Sequence, residues 1–143
     1  MALPKCVEMR VLSDPANLRV VREAVRRSAG EVGFSEADTE QIALAVDEAL
    51  ANVIKHGYDQ QYDQPIDIRI EPVAESGRSG LGLFIRDFGA TVDPETICGR
   101  DLADVRPGGL GVHIITSVMD EVRYESAEGG GTRLSMVKWR GHE

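Results

Sequence analysis

The chain has 143 residues, 42% of them hydrophobic and 28% charged, a composition typical of one globular domain. Its 24 acidic side chains outnumber 16 Lys and Arg, so the formal net charge is -8. Such a chain is a poor binder of nucleic acid or of an anionic membrane surface, because both attract basic charge. No apolar run approaches the roughly 20 residues of a membrane span, and no signal-peptide stretch opens the chain. We therefore expect a single cytoplasmic domain over residues 1–143 with neither nucleic acid nor membrane as partner.

Residues of the common nucleophilic and metal sites are sparse. Cys6 and Cys98 form neither a disulfide framework nor a metal pattern, so we interpret both as reduced residues. His56, His113 and His142 lie too far apart in sequence to indicate a zinc site. Nothing resembles a Ser-His-Asp or Cys-His nucleophile, although spacing alone does not exclude one.

The first half of the chain predicts a strand and two helices. Residues 6–11 alternate apolar and polar side chains, which indicates a half-buried strand. A capping side chain and an early proline then begin a helix over 15–29, with Gly30 as its stop. Ser35 opens a second helix that ends near Gly57. The predicted buried stripe of this second helix is Ile42, Val46, Ala49, Leu50 and Val53.

Four further strands are predicted, and short turns pair them. They span 66–73, 81–87, 121–126 and 132–139. A Gly/Ser turn at 75–80 joins the first pair, and three glycines at 129–131 form the hairpin turn of the second.

A long loop at 90–109 and a third helix over 110–119 separate the two strand pairs. A loop of this length in a compact domain is usually functional. Because turns pair the strands, and helices do not alternate with single strands, the order favours an α+β fold. Its helices would cover one face of a mainly antiparallel sheet.

The second helix has an unusual polar side. Glu48 and Asn52 are one turn apart and share a face that points away from the apolar stripe. A solvated helix face is one interpretation. The small Ala45 and Ala51 beside this edge, and Leu44 on it, instead indicate room for a ligand and something that covers it. A carboxylate beside a carboxamide suits Mg²⁺, which takes oxygen ligands.

Two glycine-containing motifs are candidates for a nucleotide site. Asp87 follows an apolar strand and is placed to accept a hydrogen bond from an exocyclic amine such as that of adenine. Gly89 would let the backbone approach a planar ring, although a carboxylate followed by glycine at a strand end is also common in plain turns. The glycine loop at 107–111 precedes the third helix, where backbone N–H groups and the helix dipole favour phosphate. The loop is neither a Walker A motif nor a Rossmann fingerprint, and a hinge is its simpler interpretation.

Four motifs in this order resemble those of the GHKL ATP-binding superfamily. They are DEALANVIKHGY at 47–58, RDFGATVDP at 86–94, RPGGLGVHII at 106–115 and GGGTRL at 129–134. The short length, EAxxN followed by HGY, and the Asp-Pro after the second motif most resemble the small anti-sigma factor serine kinases of bacteria. The resemblance covers nearly the whole chain and implies a two-layer α/β sandwich.

The resemblance implies a role for each matching residue. Asn52 would coordinate Mg²⁺, and Glu48 would act as general base. Asp87 would bind the adenine amino group, with Gly89 beneath the ring and Thr132 beside the aspartate. The implied cofactor-binding residues after the lid are Arg106, Gly108, Gly109, Leu110 and Gly111.

The lid departs from the superfamily pattern. Thr91 stands where the second motif often has its last glycine, which leaves the lid geometry open. The lid, residues 90–107, has no lysine. Arg100 and Arg106 are its cationic candidates for the γ-phosphate, and the sequence does not choose between them.

The implied function is that of a protein-serine kinase that uses ATP and Mg²⁺. It would phosphorylate a serine on a small antagonist protein of the anti-anti-sigma type, sequester a sigma factor, and form a homodimer. Arg19, Arg22 and Arg26 share one side of the first helix, as a solvated face or as a contact for an acidic partner. The alternatives are a nucleotide-regulated binding module without kinase activity, the ATPase piece of a histidine kinase, and a soluble α+β domain with glycine turns.

Overall fold

A five-stranded antiparallel sheet with helices on one face forms the structure, a computed structural model that describes residues 5–89 and 114–140. The strand order is β1-β2-β3-β5-β4. The strands are β1 (Val7–Leu12), β2 (Pro65–Glu75), β3 (Arg78–Asp87), β4 (Glu121–Ser126) and β5 (Thr132–Trp139). The helices are α1 (Leu18–Val32) and α2 (Glu36–Asn52), with a 3-10 turn at Pro15–Asn17 and a π-helical turn at Val53–Gly57. The predicted α+β sandwich is confirmed.

The first helical region starts at the predicted Pro15, but as a 3-10 turn that leads into α1 at Leu18, and the helix ends later than predicted. The Asp14 carboxylate accepts the N–H of Ala16 at 2.9 Å and caps the turn that leads into α1. Gly30, predicted as the stop, lies inside the helix, so that prediction is wrong. The helix ends at Gly33, which has a φ of 106° and returns its N–H to the carbonyls of Ala29 and Gly30. Only the later glycine adopts the left-handed conformation that terminates a helix.

The second helix begins at the predicted cap. The Ser35 hydroxyl accepts the N–H of Asp38 at 3.1 Å. The predicted apolar stripe is buried except for Val53, which is only partly buried. This stripe packs on the sheet face that carries the isoleucines and leucines of β2 and β3. Burial of this shared core is the main term that holds the two layers together.

The first hairpin is tighter than predicted. Strands β2 and β3 pair as far as Glu75 and Arg78, which leaves only Ser76 and Gly77 in the turn. Their φ angles of 52° and 82° fit the two-residue turns that match the natural twist of a hairpin. The residues next to the turn are polar or small, so the sequence predicted a longer turn, although these residues pair as parts of the two strands. The second hairpin, β4 and β5, has the predicted bounds.

The long loop and the start of the third helix lie outside the described residues, which include a helical segment at 114–118. Ile115 and Met119 bring this segment into the core. Among residues 5–89 and 114–140, no helix is long and apolar enough to cross a membrane.

Candidate functional site

The end of β3 presents a buried carboxylate. Asp87 is only 4% exposed. Its Oδ1 accepts the N–H of Gly89 at 3.1 Å, and the carboxylate also accepts the backbone N–H of Thr132. Burial nevertheless raises the pKa of the Asp87 carboxyl above its usual range, because desolvation outweighs these two bonds. An ionised Asp87 is therefore stabilised by any further donor that enters the site.

Three glycines converge on Asp87. A Cβ on Gly57 would lie 3.4 Å from the Asp87 Cγ. A Cβ on Gly89 would overlap the carbonyl oxygen of Gly57 and lie 2.7 Å from Cδ1 of Tyr58. A Cβ on Gly131 would overlap the carbonyl oxygen of Asp87 itself. The backbone around the carboxylate is therefore packed to contact, with no room for side chains at Gly89 or Gly131.

A widened helical turn delivers Gly57 to this place. After Asn52 the chain continues as the π-helical turn, in which the Tyr58 N–H bonds the carbonyl of Val53 at 3.0 Å. Such turns are rare and are frequent at functional sites. The helix that carries Glu48 and Asn52 thus runs without a break into the residues that contact Asp87.

The tyrosine after this turn links three segments. Tyr58 is buried, and its hydroxyl donates to the carbonyl of Pro65 at the start of β2. The same hydroxyl accepts the N–H of Phe88 at 2.7 Å. Burial raises the pKa of the Tyr58 phenol, so it stays a neutral donor and acceptor at ordinary pH.

Two predicted site residues have polar atoms that are buried without a partner. The amide nitrogen of Asn52 and the hydroxyl of Thr132 find no hydrogen-bond partner among the described residues. Buried polar groups are rarely left unpaired, so both are candidates to contact a ligand. Glu48 lies one turn before Asn52 and is partly buried. No group of three or more His, Cys, Asp or Glu in the described ranges forms a metal site by itself. The unpaired amide nitrogen of Asn52 is a donor and cannot bind a cation, but its side-chain oxygen is of the type that Mg²⁺ takes together with substrate phosphates.

The surroundings of Glu48 match the prediction only in part. Ala51 and Leu44 are exposed, as a ligand or partner surface requires. Ala45 is fully buried in the core cluster, so the interpretation that it leaves room for a ligand is wrong. It belongs to the core because the apolar face of α2 is wide enough to include the residue before Val46.

The arginines of α1 are engaged within the chain. Arg22 bonds Asp47 of α2 at 2.9 Å, and Arg26 bonds Glu40 of α2 at 3.0 Å. The two ion pairs join the helices, while the Arg22 and Arg26 side chains remain 32% and 35% exposed. Arg19 is exposed.

The predicted phosphate-binding residues lie outside the described residues. They are Arg106, Gly108, Gly109, Leu110 and Gly111, together with the lid residues Thr91 and Arg100. The sequence prediction did not name Gly57, Tyr58 or Gly131 as site residues. All three lie within the motifs at 47–58 and 129–134, so their place in those motifs was the sequence signal that could have identified them.

Two curated relatives are similar to this chain over most of its length. The chain is 28% identical over 144 residues to the serine-protein kinase RsbW of Halalkalibacterium halodurans, covering 95% of this chain and 84% of the relative. It is 28% identical over 136 residues to the anti-sigma F factor of Clostridium novyi, covering 92% of each.

Two solved structures share the fold. The RsbU and RsbW domains of a Mycobacterium tuberculosis protein superpose with a TM-score of 0.62 at 18% identity, over 96% of this chain and 33% of that one. The mycobacterial sensor histidine kinase MprB superposes with a TM-score of 0.56 at 19% identity, over 95% of this chain and 100% of that one. The family model for the histidine kinase-like ATPase domain matches residues 11–138. The chain therefore belongs to the histidine kinase-like ATPase domain family.

Proposed function

We propose that this chain is an ATP-dependent protein-serine kinase of the anti-sigma type. The observation that carries the proposal is the buried Asp87 carboxylate, which contacts the end of the helix that bears Glu48 and Asn52. The Asp87 carboxylate accepts only two backbone N–H groups that the structure describes, so it can accept a further hydrogen bond from the exocyclic amine of adenine. The names of the relatives, a serine-protein kinase and an anti-sigma factor, support this choice.

Each site residue then has a distinct task. Asp87 accepts the adenine amine, and Thr132 lies beside it with its hydroxyl available to the base or to a water. Asn52 holds Mg²⁺, which supplies charge neutralisation at the phosphates when bound. The residues Arg106, Gly108, Gly109, Leu110 and Gly111 complete the phosphate site in this proposal.

The proposed reaction transfers the γ-phosphoryl group to a serine hydroxyl. The serine oxygen forms a bond to the γ-phosphorus as the bond to the β,γ-bridging oxygen breaks, and ADP leaves. Glu48 orients the hydroxyl and takes its proton. Positioning and charge neutralisation dominate such reactions, so few side chains are required.

The proposed substrate is a small cytoplasmic antagonist protein of the anti-anti-sigma type, and the proposed sequestered partner is a sigma factor. The name of one relative, serine-protein kinase, supports a serine as the phosphorylated group, and the name of the other, anti-sigma F factor, supports a sigma factor as partner. The antagonist is the partner that the sequence resemblance implies. The net charge of -8 favours protein partners over nucleic acid.

A homodimer through the open face of the sheet is part of this proposal. Five side chains lie in register across that face with signs that largely alternate: Arg10, Asp67, Arg86, Arg133 and Glu125. If a second copy packs on this face with its row of charges running in the opposite direction, each charge lies opposite a charge of the other sign. The exception is Arg86 at the centre of the row, which would lie opposite Arg86 of the other copy. Phe88, 43% exposed, adds an apolar contact beside this row.

Sedimentation equilibrium should give a dimer for the wild type and for exposed Arg19→Glu, and a monomer for Arg133→Glu. A monomeric wild type would contradict the dimer.

Phosphate transfer tests the central proposal. The chain is incubated with γ-labelled ATP, Mg²⁺ and dephosphorylated extract of its own cells, and labelled phosphoserine is measured on small proteins. We expect label with the wild type and with Glu36→Ala, an exposed control on the same helix, and none with Glu48→Ala. ATP binding without any transfer by the wild type would favour the nucleotide-regulated binding module. Normal transfer by Glu48→Ala would exclude Glu48 as the base.

A further inference from the structure

Strand β3 ends at Asp87, and a buried tyrosine holds the peptide that follows. The N–H of Phe88 donates to the Tyr58 hydroxyl at 2.7 Å, and that hydroxyl donates onward to the carbonyl of Pro65. One phenol thereby connects the end of β3, the start of β2 and the end of the π-helical turn. A phenylalanine would fill the same space, so packing alone does not explain the hydroxyl.

The ring of the same tyrosine contacts the other side of the site. A Cβ on Gly89 would lie 2.7 Å from Cδ1 of Tyr58, so ring and glycine are in direct contact. Gly89 is also the residue whose N–H holds Oδ1 of Asp87. The hydroxyl of Tyr58 therefore fixes the peptide directly after Asp87, and its ring limits the position of the next peptide.

We infer that Tyr58 is a positioning residue for adenine recognition: it holds the Asp87–Gly89 segment so that the carboxylate meets the exocyclic amine. This inference rests on the proposed nucleotide site and extends it to a residue that need not touch the nucleotide. A carboxylate displaced by even a fraction of an ångström forms a longer and weaker hydrogen bond to the amine. The consequence is specific to bases that carry an amine at this position.

The test compares two nucleotides and two tyrosines. ITP replaces the amine of ATP by an oxo group and keeps the ribose and phosphates. Tyr58→Phe removes the buried hydroxyl, whereas Tyr62→Phe removes one from an exposed tyrosine four residues later. Titration calorimetry with Mg²⁺ should show that wild type and Tyr62→Phe prefer ATP over ITP. In Tyr58→Phe we expect ATP affinity to fall about tenfold, at most the loss of one well-made hydrogen bond, while ITP affinity changes less than twofold.

A second measurement needs no nucleotide. In the free protein, amide hydrogen exchange at Phe88 and Gly89 should accelerate in Tyr58→Phe and stay unchanged in Tyr62→Phe. Unchanged exchange at Phe88 would overturn the inference, because the hydrogen bond would then be irrelevant to the segment. An equal loss of ATP and ITP affinity would also overturn it, since that is the result of general loosening. Failure of the proposed function is distinct: the wild type would bind neither nucleotide.

Discussion

Two glycines of one turn, Gly129 and Gly131, offer a matched pair of substitutions. Both have left-handed backbone angles, with φ of 87° and 85°. A Cβ on Gly129 would meet nothing within 4 Å. A Cβ on Gly131 would overlap the Asp87 carbonyl oxygen and lie 2.8 Å from the Phe88 Cα. Alanine therefore imposes the same backbone strain at both positions, and a steric conflict at only one.

The magnitudes follow from this difference. Alanine in the left-handed region costs about 1 kcal/mol, so Gly129→Ala should lose about that much. Gly131→Ala adds an overlap with backbone that cannot rotate away, and overpacking of this kind costs roughly 1–3 kcal/mol more. At roughly 3 °C per kcal/mol for a domain of this size, we expect the unfolding midpoint to fall about 3 °C for Gly129→Ala and about 9 °C for Gly131→Ala.

The assay combines calorimetric unfolding of the nucleotide-free protein with ATP titration below the lower midpoint. Because relief of the overlap requires movement of Asp87 or Phe88, Gly131→Ala should lose about tenfold or more in ATP affinity. Gly129→Ala should bind ATP as the wild type does. Equal midpoint losses, or full ATP affinity in Gly131→Ala, would refute the close packing around Asp87.

Three further predictions concern charge. The pKa of the Asp87 carboxyl is raised, so the folded state binds this proton more tightly than the unfolded chain does, and the contribution of Asp87 to stability grows as pH falls through that pKa. In calorimetry at pH 7, Asp87→Asn should therefore leave the unfolding midpoint unchanged or higher. A large fall of the midpoint would contradict the cost of burying the carboxylate. The hydrogen bond from Arg10 lowers the pKa of Asp67, so this pair stabilises the fold at neutral pH, and the stabilisation is lost as pH falls through the lowered pKa. The stability of Arg10→Ala should therefore fall less than that of the wild type when the pH is lowered. Identical profiles of stability against pH would contradict a stabilising pair. Arg22→Ala leaves the partly buried Asp47 carboxylate without its ion-pair partner and should lower the free energy of unfolding in urea by about 1–2 kcal/mol. The control Arg19→Ala, at an exposed arginine, should change it very little. Equal effects would show that the ion pair between the two helices contributes nothing.

Local sequence signals were sufficient to predict most of the fold. Alternation predicted β1, and the cap at Ser35 marked the start of α2. The end of α1 was missed because Gly30 and Gly33 are chemically identical in sequence, and only the structure shows which one is left-handed. The β2–β3 turn was predicted too long because pairing extends beyond the apolar residues by which a strand is recognised.

The resemblance, not local sequence signals, predicted which residues of the candidate site lie close together. Asp87 and Thr132 are close together as expected, since β3 and β5 are neighbours and a backbone N–H of one reaches the carboxylate of the other. Gly57 and Tyr58 were not predicted, because their role depends on a π-helical turn that no periodicity reveals. The ion pairs of Arg22 and Arg26 with α2 were missed for a related reason: pairing between helices depends on how α1 crosses α2.

Nucleotide binding by the Asp87 site is the central claim, and titration calorimetry tests it most directly. ATP and ADP are titrated, each with and without Mg²⁺, into wild type and Asp87→Asn. We predict Mg²⁺-dependent ATP binding by the wild type and its loss in Asp87→Asn, whose fold remains intact. No binding of ATP by the wild type, or equal binding by Asp87→Asn, would contradict the account.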